Sequence, residues 1–166
     1  MSRHIKFSSI GVDLTQKVIN RKLYKTNLRN ITSIAIHCSA SPQGRGDDAD
    51  TIDRWHLEKG WSGIGYHYVV LEDGTVLKGR WVDNSGAHIK GNNATTIAIC
   101  RIGGLGKDGK TIRDATFEQI NSIRLLSHLL VEMYELDISD IKGHNEYPGV
   151  QKDCPAMNMD FIRTKV

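Results

Sequence analysis

Ile31-Thr32-Ser33-Ile34-Ala35-Ile36-His37 is a run of β-branched and small residues that ends on a histidine. Its length suits a strand better than a core helix, and its near-continuous apolar character predicts burial. A polar residue closing such a run commonly faces a site at the sheet edge, so His37 is the first candidate functional residue.

Working outward, Ser39 to Asp50 is rich in Ser, Gly and Asp and reads as a loop. Asp50 is placed to cap a helix over 51–59 that stops at Gly60, with Ile52 and Trp55 facing inward. Gly65 to Leu71 and Thr75 to Gly79 read as strands joined at Glu72-Asp73-Gly74, a hairpin signal. After a loop from Trp81 to Asn93, Thr95 to Ile102 is the next apolar strand. Gly103-Gly104-Leu105-Gly106 and Asp108-Gly109 lack phosphate-loop spacing and read as turn formers.

Thr116-Phe117-Glu118-Gln119 is a capping-box start for the longest helix, reaching about Tyr134. Phe117, Ile120, Ile123, Leu126, Leu130 and Met133 mark its expected buried stripe, and His128 is read as incidental. A short strand near Ile138 to Lys142 would deliver His144, and Asp160 to Arg163 would form a closing helical turn. Strands interleaved with helices predict an α/β fold.

A chain of 166 residues suits one domain, since chains of this size bury about 70% of their unfolded surface. With 39% hydrophobic and 25% charged residues the composition is that of an ordinary globular protein. No apolar stretch approaches the roughly 20 residues that span a bilayer. Charged residues scattered through the first 22 positions leave no continuous apolar region for a signal peptide, so synthesis in a cytoplasm is expected.

Residues 1–30 carry seven Lys or Arg against Asp13, a net +6, while residues 31–166 carry 15 basic and 18 acidic groups, a net −3. Nucleic-acid binding by the body therefore has little support. The arm also contains Ile10, Val12, Leu14, Val18, Ile19, Leu23 and Tyr24, too apolar for a wholly solvated tail. It is expected to pack partly on the body, with a strand at Ile10 to Leu14, and to offer a contact for a protein partner or an anionic surface.

Three cysteines without regular spacing do not make a disulfide framework. Cys38 and Cys100 lie in apolar runs and read as small core residues. Cys154 lies instead in the irregular loop His144-Asn145-Glu146-Tyr147-Pro148-Gly149-Val150-Gln151-Lys152-Asp153-Cys154-Pro155. A lone His or Cys is more often packed than ligating. Yet His37, His144 and Cys154 together form the nitrogen, nitrogen and sulfur set of a catalytic zinc site with one position open, which points to metal-assisted hydrolysis. Cys38 is a rival ligand by adjacency, although on a continuing strand it faces away from His37.

Several further segments share one pattern: His37-Cys38-Ser39-Ala40-Ser41, Trp55-His56-Leu57-Glu58-Lys59-Gly60-Trp61, Gly65-Tyr66-His67-Tyr68, Asp73-Gly74-Thr75-Val76, Gly79-Arg80, Gly86-Ala87-His88, Lys90-Gly91-Asn92-Asn93, and His144-Asn145-Glu146 with Lys152-Asp153-Cys154-Pro155. In this order, from about Ile31 to about Arg163, they resemble the phage lysozyme-type N-acetylmuramoyl-L-alanine amidases and the related peptidoglycan recognition proteins. The resemblance implies a mixed central sheet flanked by helices, with Zn2+ held by His37, His144 and Cys154 in a surface cleft.

It further implies that Tyr66 and Lys152 are catalytic and that His88 lies in a substrate-binding loop. The implied substrate is bacterial peptidoglycan, cut between N-acetylmuramic acid and L-alanine after release to the cell wall by a monomeric phage or prophage endolysin. Glu146 would orient a ligand or stabilise its own loop. His67, alternating with Tyr66, should point away, and Trp61 would serve as structure or as a cleft wall. The rival implications are a recognition module that binds without cutting and a cytoplasmic muropeptide-recycling amidase. Cys154, with Tyr66 and Lys152, argues against the first, and Cys in place of the recycling enzymes' Asp argues against the second.

Overall fold

The computed structural model describes residues 4–5 and 29–164. The expected strand at Ile10 to Leu14, and most of the basic arm, lie outside them. A six-stranded mixed sheet forms the centre, in the order β1-β5-β4-β6-β2-β8. Its strands are β1 (His4–Ile5), β2 (Ser33–Cys38), β4 (Tyr68–Val70), β5 (Val76–Lys78), β6 (Thr96–Arg101) and β8 (Ile141–Gly143). β4, β6, β2 and β8 run parallel, whereas β5 pairs antiparallel with β4 and with β1. Short strands β3 (Ser41–Pro42) and β7 (Gly104–Leu105) form a separate parallel pair, so part of the glycine-rich stretch expected as turns is bridged to the loop after β2.

All six residues of β2 and all six of β6 are buried, as parallel strands covered on both faces require. One face carries Ile34, Ile36, Ile97 and Ile99 and packs on helix α2 (Phe117–Tyr134) through Ile123, Leu126 and Leu130. On the other, Val69, Leu77 and Cys100 pack on helix α1 (Ala49–Glu58) through Ala49 and Ile52. Helix α3 (Met159–Arg163) closes the α2 side with Met159 and Ile162, and His128 of α2 lies 3.1 Å from the Ile162 carbonyl as an inter-helix contact.

Three local expectations change. The cap of α1 is Asp48, whose side chain accepts from the Thr51 amide at 2.8 Å, and Asp50 falls in the first turn. The Thr116 capping box of α2 forms, but Phe117 is 69% exposed. Its place on the buried face goes to Gln119, whose amide donates to the Val70 and Ile102 carbonyls at the ends of the central strands. Before β8 the chain makes a 3-10 turn, Ile138–Asp140, so the strand expected from Ile138 begins at Ile141.

Candidate active site

Sheet register brings the two histidines together. Ile36 of β2 pairs with Gly143 of β8, so the next residues, His37 and His144, emerge side by side at the carboxyl ends of parallel strands with ring centroids 4.5 Å apart. The return of the loop supplies the sulfur. The Asn145 amide donates to the Cys154 carbonyl at 2.8 Å, and Pro155 packs over Gly143, where a Cβ would meet Pro155 Cδ at 2.9 Å. Glycine at 143 is therefore a condition of this crossing.

Cys154 Sγ then lies 3.8 Å from His37 Nδ1 and accepts from the Cys38 amide at 3.2 Å. One donor atom from each of His37, His144 and Cys154 lies within 4.8 Å of the others. Two nitrogens and a sulfur bound to one tetrahedral ion would stand roughly 3.3 to 3.8 Å apart, a spacing the His37 Nδ1–Cys154 Sγ pair meets at 3.8 Å, and the three donors could hold a single small divalent cation.

The electrostatics suit that use. Burial, then the neighbouring His88, His144 and Lys152, hold His37 well below the ordinary histidine value, and burial followed by Lys152 lowers His144. Both rings are thus neutral, as ligands must be. Contact with the Cys38 thiol, then burial, pushes the Cys154 thiol up, and a bound cation is the charge that would favour its thiolate. Cys38 is not among the clustered donors, yet its amide and thiol both reach Cys154. Cys100 is fully buried, and its thiol donates to the Arg101 carbonyl at 3.5 Å.

Tyr66 lies with its ring 5.2 Å from that of His37 and 5.5 Å from that of His56. Burial raises its phenol well above the ordinary value, with the nearby cysteines adding to the shift, so it is held protonated. Lys152 is exposed on the loop two residues before Cys154, near enough for its charge to depress both histidines.

His88, expected in a substrate-binding loop, makes two ring contacts within the protein. Its Nδ1 lies 3.1 Å from His37 Nε2 and its Nε2 lies 3.1 Å from Thr96 Oγ1, so both ring nitrogens are engaged inside the protein. His67 is fully buried: its Nδ1 accepts from the Ala98 amide at 2.9 Å and its Nε2 faces the Asn84 carbonyl at 3.1 Å. Glu146 accepts from the Gly143 amide and pairs with Arg163, which stabilises the loop rather than a ligand. Trp61 is 41% exposed, and its ring meets that of His56 at 4.5 Å, tilted by 43°.

Two site-shaping arginines escaped the sequence reading. Arg101 is fully buried and donates to the carbonyls of Pro155 at 3.0 Å and Ala156 at 2.7 Å, immediately after Cys154. Arg29, in the stretch assigned to the arm, donates to the carbonyls of Asn84, Asn93, Ala94 and Thr96 and so ties down both ends of the His88 loop. A charged residue inside an apolar run, such as Arg101 in Thr95 to Ile102, is the signal that was present for the first. Nothing local marks Arg29.

The profile described as N-acetylmuramoyl-L-alanine amidase matches residues 27–157. The endolysin of Enterobacteria phage K11 is 30% identical over 144 residues, covering 86% of this chain and 93% of that protein. The endolysin of Escherichia phage T7 is 35% identical over 127 residues, covering 76% and 82%. Among solved structures, the N-acetylmuramoyl-L-alanine amidase LysC from Clostridium intestinale superposes with a TM-score of 0.70 at 28% identity, covering 83% of this chain and 86% of that one. The match begins just before β2 and runs through Cys154, spanning the donor cluster whole: the chain belongs to the N-acetylmuramoyl-L-alanine amidase family.

Proposed function

We propose that this amidase is a zinc enzyme of the endolysin type, acting on bacterial peptidoglycan at the amide between N-acetylmuramic acid and the L-alanine of the stem peptide. The observation that carries the metal is the meeting of His37, His144 and Cys154 within 4.8 Å, a set of two nitrogens and one sulfur that leaves one tetrahedral position for chemistry. Bound zinc would supply Lewis acidity, polarising a carbonyl and lowering the pKa of water to about 7.

The side chains around it supply the rest. Lys152 places an ammonium beside the cluster, where it would stabilise the oxyanion that develops as the amide carbon becomes tetrahedral. Tyr66, kept protonated by burial, would donate a hydrogen bond to the reacting groups and exchange a proton with them. Arg101 and the Cys38 amide hold the Cys154 segment in place while this happens. Action on the wall follows release of the protein from the cell that makes it. Among the described residues no helix is long and apolar enough to cross a membrane.

A recognition module that binds without cutting is the competing reading, and the chain's Cys154, Tyr66 and Lys152 disfavour it. Incubation with purified peptidoglycan followed by mass spectrometry separates the two. The proposal expects stem peptides with a free L-alanine amino group and intact glycan. Binding without new termini, or opening at a peptide or glycosidic bond, contradicts it.

A further inference from the structure

The buried contact between two histidines is the unusual feature of this site. A ligating imidazole ordinarily donates its second nitrogen to a carboxylate, a carbonyl or water. Here the partner of His37 Nε2 is another imidazole, His88, whose own second nitrogen meets Thr96 Oγ1. Hydrogen-bond direction along this chain is set from its far end. The Thr96 hydroxyl donates its one proton to the Asn92 carbonyl at 2.8 Å, so toward His88 it accepts only. His88 Nε2 must then carry the ring proton, which leaves Nδ1 as the acceptor. His37 Nε2 must donate to it, and the bare lone pair of His37 falls on Nδ1, the nitrogen that faces Cys154 Sγ at 3.8 Å.

We propose that His88 is a positioning residue for the metal centre: the relay Asn92–Thr96–His88–His37 selects the His37 tautomer and ring orientation that present Nδ1 to the cation. This rests on the zinc reading given above and adds a role for residues outside the donor set.

The surrounding sequence is built for the relay. Asn93 Oδ1 accepts from the amides of both His88 and Ile89, at 2.8 and 2.9 Å, which fixes the backbone beneath the ring. Glycine is required at 86 because a Cβ there would stand 2.4 Å from His88 Cδ2 and 3.0 Å from His67 Cε1. Ala35 and Ala98, neighbours in register on β2 and β6, are fully buried small residues in the same part of the sheet.

The test uses zinc-loaded protein with 15N-labelled histidine, together with zinc affinity by competition against a chromogenic chelator. Long-range 1H–15N spectra of the wild type should show His37 and His88 both protonated at Nε2. A proton on His37 Nδ1, or metal on its Nε2, overturns the proposal. His88→Phe keeps a ring and loses the acceptor, and Thr96→Val removes the group that fixes its proton. Both are expected to weaken zinc binding roughly 10- to 100-fold, the usual cost of losing such a partner.

His88→Asn offers an amide oxygen near the former Nδ1 and should restore most of the affinity. Wild-type affinity in folded His88→Phe overturns the relay, as does a loss in His88→Asn equal to that in His88→Phe. If His88→Phe does not fold, the wild-type spectra and the Thr96→Val affinity decide the question. If the wild type itself binds no zinc, or binds it equally after Cys154→Ser, the zinc reading has failed and not the relay alone.

Discussion

Cys154, Lys152 and Tyr66 stand at one site with different chemistry, and single substitutions should separate their parts. Cys154→Ser exchanges a strong thiolate donor for a hydroxyl and should sharply weaken metal binding and abolish cleavage, while peptidoglycan binding persists. Lys152→Ala should keep its zinc and lose roughly 100- to 1,000-fold in kcat, the scale of one lost oxyanion donor. Tyr66→Phe should likewise keep zinc and lose rate. Metal analysis beside a turnover assay on all three checks this, and full activity in Lys152→Ala or loss of zinc from Tyr66→Phe would contradict the assigned roles. His37, His144 and Cys154 were legible before the fold because ligand chemistry restricts residue type and because each ends or interrupts a recognisable segment. The contacts of His88 were not: Thr96 lies eight positions on, and only the fold of the loop brings His37 Nε2 to the other side of its ring.

Elements differ in what they reveal. The start of α2 was readable because a capping box is a local pattern, whereas the start of α1 was misplaced by two residues because Asp48 and Asp50 are equally plausible caps until the backbone chooses. Asp48→Ala should therefore cost about 1 kcal/mol of stability, with a smaller loss for Asp50→Ala, measured by urea unfolding. Equal losses would contradict the observed cap. The seam between β4 and β6 carries a pH dependence. His67, fully buried against the Ala98 amide, is lowered to about 4, with burial the largest cause. A histidine whose folded value lies below its unfolded value of about 6.5 stabilises fully above 6.5 and loses that contribution as pH falls toward 4, because the unfolded chain takes up the proton first. The loss is on the order of 3 kcal/mol, and His67→Gln should flatten stability between pH 6.5 and 4. An unchanged pH profile in that variant would remove His67 as the cause.

At the scale of the whole molecule, the sheet order places the ends of β2, β6 and β8 beside one another, and the site is a consequence of that adjacency. Alternating strands and helices announced an α/β fold, but strand order and register depend on contacts far apart in sequence and came only with the structure. Charge is the other molecular-scale feature: +6 in residues 1–30 against −3 in the body predicts that the arm aids contact with an anionic surface or partner. Changing Lys17, Arg21, Lys22 and Lys25 to Gln should weaken wall binding at low salt and leave it nearly unchanged at high salt, where exposed charges are screened. Binding equal to that of the wild type at every salt concentration would end that role. The claim on which the account depends most is that one zinc ion, held by His37, His144 and Cys154, is required for hydrolysis. Its most direct test is a zinc titration of chelator-stripped protein, reading release of stem peptides with a free L-alanine amino group: activity should rise from zero and level off at one equivalent, whereas full cleavage by the stripped protein would contradict the account.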